Sequence, residues 1–173
     1  MSIKTKRAII FPVGPSIAYV PLTQGKFSLI DSDDIGLLGA FNWSANRNKS
    51  TGGFYARRGQ RRGQKGTKTI PMHSSVCVAR DGCAVDHRNG NTLDNRRENL
   101  READRIQNAR NSRISSRNSS GFKGVYASGS KYQAQIKANG KQIYLGTYDT
   151  AEAANEIRKN AAAIHHGEFA RTA

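Results

Sequence analysis

Cysteine is scarce in this chain of 173 residues, with only Cys77 and Cys83 present. Two thiols without a paired CxxC exclude a disulfide-built scaffold and offer no structural zinc site. They suit a reducing compartment. Long apolar runs are missing as well. No stretch approaches the ~20 apolar residues that a membrane span needs. The run Ala8–Val13 behind the basic start is short and interrupted by Pro12, so no secretory leader is expected. The sequence therefore predicts a cytoplasmic protein with no membrane partner, and nothing in it marks an obligate protein partner.

Negative charge is the third shortage. Lys and Arg number 28 against 13 Asp and Glu, a net charge of +15. No acid occurs between Gly36 and Arg80, where nine Lys or Arg stand, nor between Arg105 and Tyr148, where eight do. Such stretches repel themselves unless they face a polyanion, and a phosphate backbone is the usual one. Charge alone does not separate DNA from RNA.

Element signals predict an α+β protein. Residues 1–70 read as a small antiparallel β region. Ile17–Leu22 and Lys26–Asp31 form strands around a Thr23-Gln24-Gly25 turn, Asp33–Phe41 forms a helical turn or two, and Asn42–Arg47 and Gly53–Arg58 form further strands. Gly59–Lys68 is a cationic loop, and Arg57, Arg58, Arg61, Arg62, Lys65 and Lys68 are expected to grip the phosphates of a nucleic acid, DNA if the resemblances given below hold. Residues 71–112 form a central module, and 113–120 a linker inside the turn-rich Ser112–Gly121 stretch. Residues 121–173 read as strands Gly121–Ala127, Tyr132–Ala138 and Gln142–Tyr148, with an Asn139-Gly140 hairpin turn. A helix capped by Thr150 follows, with Ala153, Ile157, Ala161 and Ile164 as its apolar stripe.

The chemistry concentrates in Val85-Asp86-His87-Arg88-Asn89-Gly90-Asn91-Thr92-Leu93-Asp94-Asn95-Arg96-Arg97-Glu98-Asn99-Leu100. An apolar strand ends in Asp-His, and a turn-rich loop follows. Leu100–Ala103 returns as a second strand, and Asp104 caps a helix running to about Ser112. Asn99 follows His87 by 12 positions and Asn108 follows Asp86 by 22. This segment resembles the HNH family of ββα-metal nucleases, in its phage and bacterial homing-endonuclease branch. The resemblance implies that Asn99 orients His87.

The residue types suit phosphodiester hydrolysis. His87 can take a proton from water near neutral pH. Asp86 and Asn108 offer hard oxygen ligands for one divalent metal ion, Mg²⁺ with Mn²⁺ as a substitute, leaving positions open for phosphate and water. In that branch Met-His-Arg commonly precedes the Asp-His. Met72-His73 fits, whereas Ser74 stands in place of Arg, so His73 is read either as an auxiliary phosphate or metal-site residue or as a strand histidine bonded to its neighbours. His165 and His166 read as surface or capping residues.

The tail, with Ser120-Gly121-Phe122-Lys123-Gly124-Val125-Tyr126 and Tyr144-Leu145-Gly146-Thr147-Tyr148, resembles the AP2/ERF DNA-binding domain. The resemblance implies a three-stranded sheet entering the major groove, with Lys123, Tyr126, Gln135, Lys137, Gln142, Tyr144 and Thr147 as DNA contacts. Arginines of plant members are Lys123, Tyr126, Ser128 and Gln142 here, so their GC-rich target is not carried over. Phe122, Tyr132 and Tyr148 read as core. Together these readings predict a site-specific, metal-dependent, strand-nicking endonuclease of double-stranded DNA. The alternatives are a non-catalytic sequence-specific DNA-binding regulator and a basic RNA-binding protein.

Overall fold

The computed structural model describes residues 7–10, 16–49, 52–59, 69–111, 114 and 118–170. Arg61, Arg62, Lys65 and Lys68 lie outside these residues, as does most of the expected linker. The chain divides into two compact units, Met1–Asp104 and Arg105–Ala173. It is a mixed α+β protein of small antiparallel sheets and few helices.

In the first unit β1 (Ile17–Pro21) and β2 (Phe27–Asp31) pair antiparallel, with Ile17 opposite Asp31. Strand alternation sends Ala18, Val20, Ser28 and Ile30 inward, all almost fully buried. A 3₁₀ turn and α1 (Ile35–Leu38) follow. The second sheet has the order β3 (Ser44–Arg47), β4 (Phe54–Gly59), β5 (Thr69–Pro71). The antiparallel β region expected over residues 1–70 thus holds two described sheets. Trp43, 1% exposed, fills the core beside Leu38 and donates its indole N–H to the Leu38 carbonyl at 2.9 Å. Next come α2 (His73–Val76) and the hairpin β6 (Ala84–His87) with β7 (Leu100–Ala103). His73 thus opens a short helix rather than lying in a strand.

A backbone ladder joins β2 to the loop between β6 and β7. Leu29 N donates to Leu93 O, and Asn95 N donates to Leu29 O, each at 2.8 Å. The N-terminal hairpin and the β6–β7 hairpin consequently share one core, which includes Ile30, Met72 and Leu100.

The second unit comprises α3 (Arg105–Arg110), β8 (Val125–Ser128), β9 (Lys131–Ala138), β10 (Lys141–Tyr148) and α4 (Ala151–His166), with sheet order β10-β9-β8. Asn139 and Gly140 both adopt positive φ, 50° and 77°, as a two-residue hairpin turn requires. Thr150 caps α4, its hydroxyl accepting from Ala153 N at 3.2 Å. The buried stripe of α4 differs from the expected one. Ala151, Ala154, Arg158, Ala161, Ala162 and His166 face inward, while Ile157 and Ile164 are exposed. In so alanine-rich a helix two stripes compete, and the small residues are the ones that let it approach the sheet closely. His166 is therefore a buried residue, correcting its reading as a surface or capping one. Phe122, Tyr132 and Tyr148 pack against the core as expected. No described helix is long and apolar enough to cross a membrane.

Candidate active site

The loop of residues 88–99 is built by its own asparagines. Asn91 N donates to Asn89 Oδ1 at 2.8 Å and Leu93 N to Asn91 Oδ1 at 3.2 Å, Asx bonds that turn the chain locally. Asn89 Nδ2 donates to Asp94 Oδ2 at 2.9 Å, and Arg96 grips both oxygens of the same carboxylate. These bonds hold the Asp94 carboxyl below its usual range, although burial alone would push it up. Asn99 closes the loop. It accepts from Asn89 N at 3.0 Å and donates to Asp94 O at 2.8 Å.

His87 ends β6 at 4% exposure. Its Nε2 lies 3.3 Å from Asn95 Oδ1. The hydrogens of this contact follow from a chain of groups reaching back to β2. Leu93 O can only accept, so Ser28 Oγ, 2.9 Å away, donates to it. Ser28 Oγ in turn accepts from Asn95 Nδ2 at 2.7 Å. The amide oxygen of Asn95 is thereby turned toward His87, and Nε2 carries the proton. In the neutral ring the basic lone pair is then on Nδ1. Burial lowers the His87 pKa, while Asn95 and the carboxylates Asp86 and Asp94 pull it back up. Neither Ser28 nor Asn95 is among the expected site residues. One signal was available, since Ser28 is a polar residue in register with inward-facing Ile30.

His73 and Tyr55 complete an aromatic cluster. The His73 and His87 rings meet edge to face at 5.1 Å, and Tyr55 lies 5.9 Å from His73 and 6.3 Å from His87. Burial, then the neighbouring His87 and Arg57, lowers the His73 pKa to about 4. The folded state therefore refuses a proton that an unfolded histidine accepts near pH 6.5. Stability should fall as pH drops from 6.5 toward 4, by up to about 3 kcal/mol from His73. Urea unfolding across that range checks this, and His73→Gln should flatten the slope. An unchanged slope in the variant would locate the acid sensitivity elsewhere.

Asp86 pairs with Arg101 directly across the hairpin. Both are buried, and Arg101 Nε and Nη2 each lie 2.9 Å from Asp86 Oδ2. Asn108 sits on α3, in the second unit. Among the described residues no group of three or more His, Cys, Asp or Glu is placed to hold a metal ion. The expected ligands, the Asp86 carboxylate and the Asn108 amide oxygen, fall one in each unit. Both are hard oxygen donors of the kind Mg²⁺ takes alongside water and phosphate.

The expected DNA-contact residues fall into two groups. Arg57 Nη1 donates to Thr69 Oγ1 at 3.3 Å, and Arg58 stacks 3.9 Å above Phe41, against the wall of the core. In the second unit the register places Tyr126, Gln135, Lys137, Gln142, Tyr144 and Thr147 on one face of the sheet, opposite Ala134 and Ile136, which are buried on the other face. Gln133 shares that polar face and was missed. Lys123 has another partner set, donating to the carbonyls of Ala109 and Arg110 at the end of α3.

Comparison with known families matches one segment of the chain. A family model described as HNH endonuclease matches residues 79–110, the stretch that contains β6, the asparagine-built loop, β7 and α3. This supports nuclease activity with DNA as the substrate. No curated protein and no solved structure matches the chain.

Proposed function

We propose that this chain is a site-specific, metal-dependent endonuclease of the homing type that nicks double-stranded DNA. The observation that carries the reading is His87, which lies inside the stretch that matches the HNH endonuclease model and whose tautomer is set by Asn95 in that stretch and by Ser28 of β2 outside it. With Nε2–H held by Asn95, Nδ1 takes the proton from an attacking water. The water oxygen bonds to phosphorus as the bond to the 3′-oxygen breaks, and solvent protonates that leaving group. Asp86 and Asp94, which raise the affinity of His87 for a proton, stabilise the imidazolium that results.

Asp86 and Asn108 would hold one divalent cation, Mg²⁺ or Mn²⁺. Bound there, it would supply Lewis-acid stabilisation of the phosphate charge. Asn99, whose side chain bonds to Asn89 N and Asp94 O, would orient His87 by holding the 88–99 loop closed beside it. The polar face of the second unit, of AP2 type, gives the positions from which base edges and phosphates would be touched.

One observation favours a second reading. Asp86 Oδ2 is engaged by a buried guanidinium, as suits a structural ion pair in a non-catalytic DNA-binding regulator. Supercoiled plasmid carrying a strongly bound site separates the two. Conversion to nicked circles with Mg²⁺, abolished by chelator, is the expected result, and linear product would indicate paired active sites. Tight binding with no cleavage would leave the regulator.

A further inference from the structure

A cavity of about 520 Å³ lies in the second unit, where β8 stops pairing and, past the bond from Gln135 N to Gly124 O, no described strand lies beside the edge of β9. Arg105 and Arg110 of α3, Lys123, Lys137 of β9 and Arg158 of α4 line it, and no Asp or Glu does. Five cations around one concavity repel each other at a cost that a surface spread would avoid. Arg158 is only 3% exposed, and burial pulls its guanidinium below the usual range. The Nε of Arg110 is buried and has no hydrogen-bond partner among the described residues.

His166 reports the same field. Its Nε2 must donate to Lys137 O, 2.9 Å away, because a carbonyl only accepts. Burial lowers its pKa, the Lys137 carbonyl raises it, and Arg110, Arg158 and Lys123 lower it again. The histidine thus stays neutral and does not add a sixth charge. Beyond the cations, Gln135, Asn139 and Gln142 continue the lining, and Gln142 Nε2 donates to Gln135 Oε1 at 2.6 Å.

We infer that this cavity is a seat for a phosphate ester, its oxyanion held by the arginines and the attached sugar and base lying along the amide side chains. Guanidinium forks match phosphate oxygens in bidentate geometry, and a bound oxyanion offsets the mutual repulsion of the cations. The volume falls within the range of small-molecule sites and exceeds what a bare phosphate needs. The inference deepens the reading of the second unit as a nucleic-acid interface and does not depend on cleavage. The ester has two sources, the DNA backbone or a diffusible nucleotide.

The test is an NMR titration of the full chain with thymidine 5′-monophosphate and, separately, inorganic phosphate. The arginine Nε–H signals and the Gly140 amide are the readout. Saturable shifts at Arg110, Arg158 and Gly140 are expected, with the nucleotide binding more tightly than inorganic phosphate. Arg110→Gln, or Arg105→Gln if that variant fails to fold, should weaken binding by roughly tenfold, as loss of a hydrogen bond to a charged group does. Lys159→Gln removes the same charge outside the cavity and should change affinity by less than about twofold in physiological salt. A short duplex that displaces the nucleotide would identify the DNA backbone as the source, and a duplex that binds without displacing it would identify a diffusible nucleotide. Shifts that never saturate, or equal weakening by Arg110→Gln and Lys159→Gln, would overturn the site. Either result leaves the plasmid assay of cleavage standing on its own.

Discussion

Replacing His87 with alanine should lower the rate of DNA nicking by about 10²–10⁴-fold, the range for loss of a positioned general base, with duplex affinity little changed. The asymmetry follows from where the ring sits. It is buried at the end of β6, kept neutral by that burial, and oriented through Nε2. In the proposed mechanism proton transfer depends on it, whereas the cations proposed to contact the DNA backbone lie elsewhere in the sequence. The variant leaves the Asn95 amide oxygen without its donor, a cost of about 1–3 kcal/mol for a buried acceptor. Unfolding curves should therefore accompany the kinetics. Asn95→Ala should give an intermediate loss, because the ring stays but either nitrogen can then carry the proton. The acid limb of the wild-type profile should lie below pH 6.5, since the ring loses its basic lone pair only as it protonates and burial lowers that point. Nicking by His87→Ala at the wild-type rate would place the base on another residue.

Arg101→Met should destabilise the fold by about 3–5 kcal/mol, the cost of stripping a buried ion pair of one partner. The guanidinium is almost wholly buried and pairs with a carboxylate that is equally so. Removing it takes the paired guanidinium away from a buried Asp86 charge. The double change Arg101→Met with Asp86→Asn should recover much of the loss, because no uncompensated charge then remains. Mg²⁺ should stabilise Arg101→Met more than wild type if Asp86 is a cation ligand, since a ligand bound only by the native state raises stability by mass action. A loss below about 1 kcal/mol, the level of an exposed pair, would mean the ion pair is not a structural element of this hairpin.

The parts legible in the sequence were those set by local rules. The strands around the Thr23-Gln24-Gly25 turn, the Asn139-Gly140 turn and the Thr150 cap each depend on a few adjacent residues, and each appears in the structure. The Asp86-His87 strand end was legible for the same reason. The partners were not. Asn95 looked like one more turn former, because its side-chain contact with Ser28 spans 67 positions of sequence. Arg101 carries no signal of its own until the hairpin register sets it opposite Asp86. The phase of α4 failed because alanine carries little hydrophobic signal, so composition could not rank the two stripes. His166 was misread with it, being on the stripe that turned out to face the sheet.

The ladder between Leu29 and the 93–95 segment bears on how such a nuclease can be inherited. A stretch cut at residues 79–110 would carry His87 and Asn99 into a new host chain. It would leave behind the strand that receives Asn95 N and supplies the hydroxyl orienting the Asn95 amide. The smallest piece that could be transplanted with its histidine correctly set therefore begins at the N-terminal hairpin. Gene rearrangements that preserve activity in this lineage should break ahead of Ile17 rather than beside the motif.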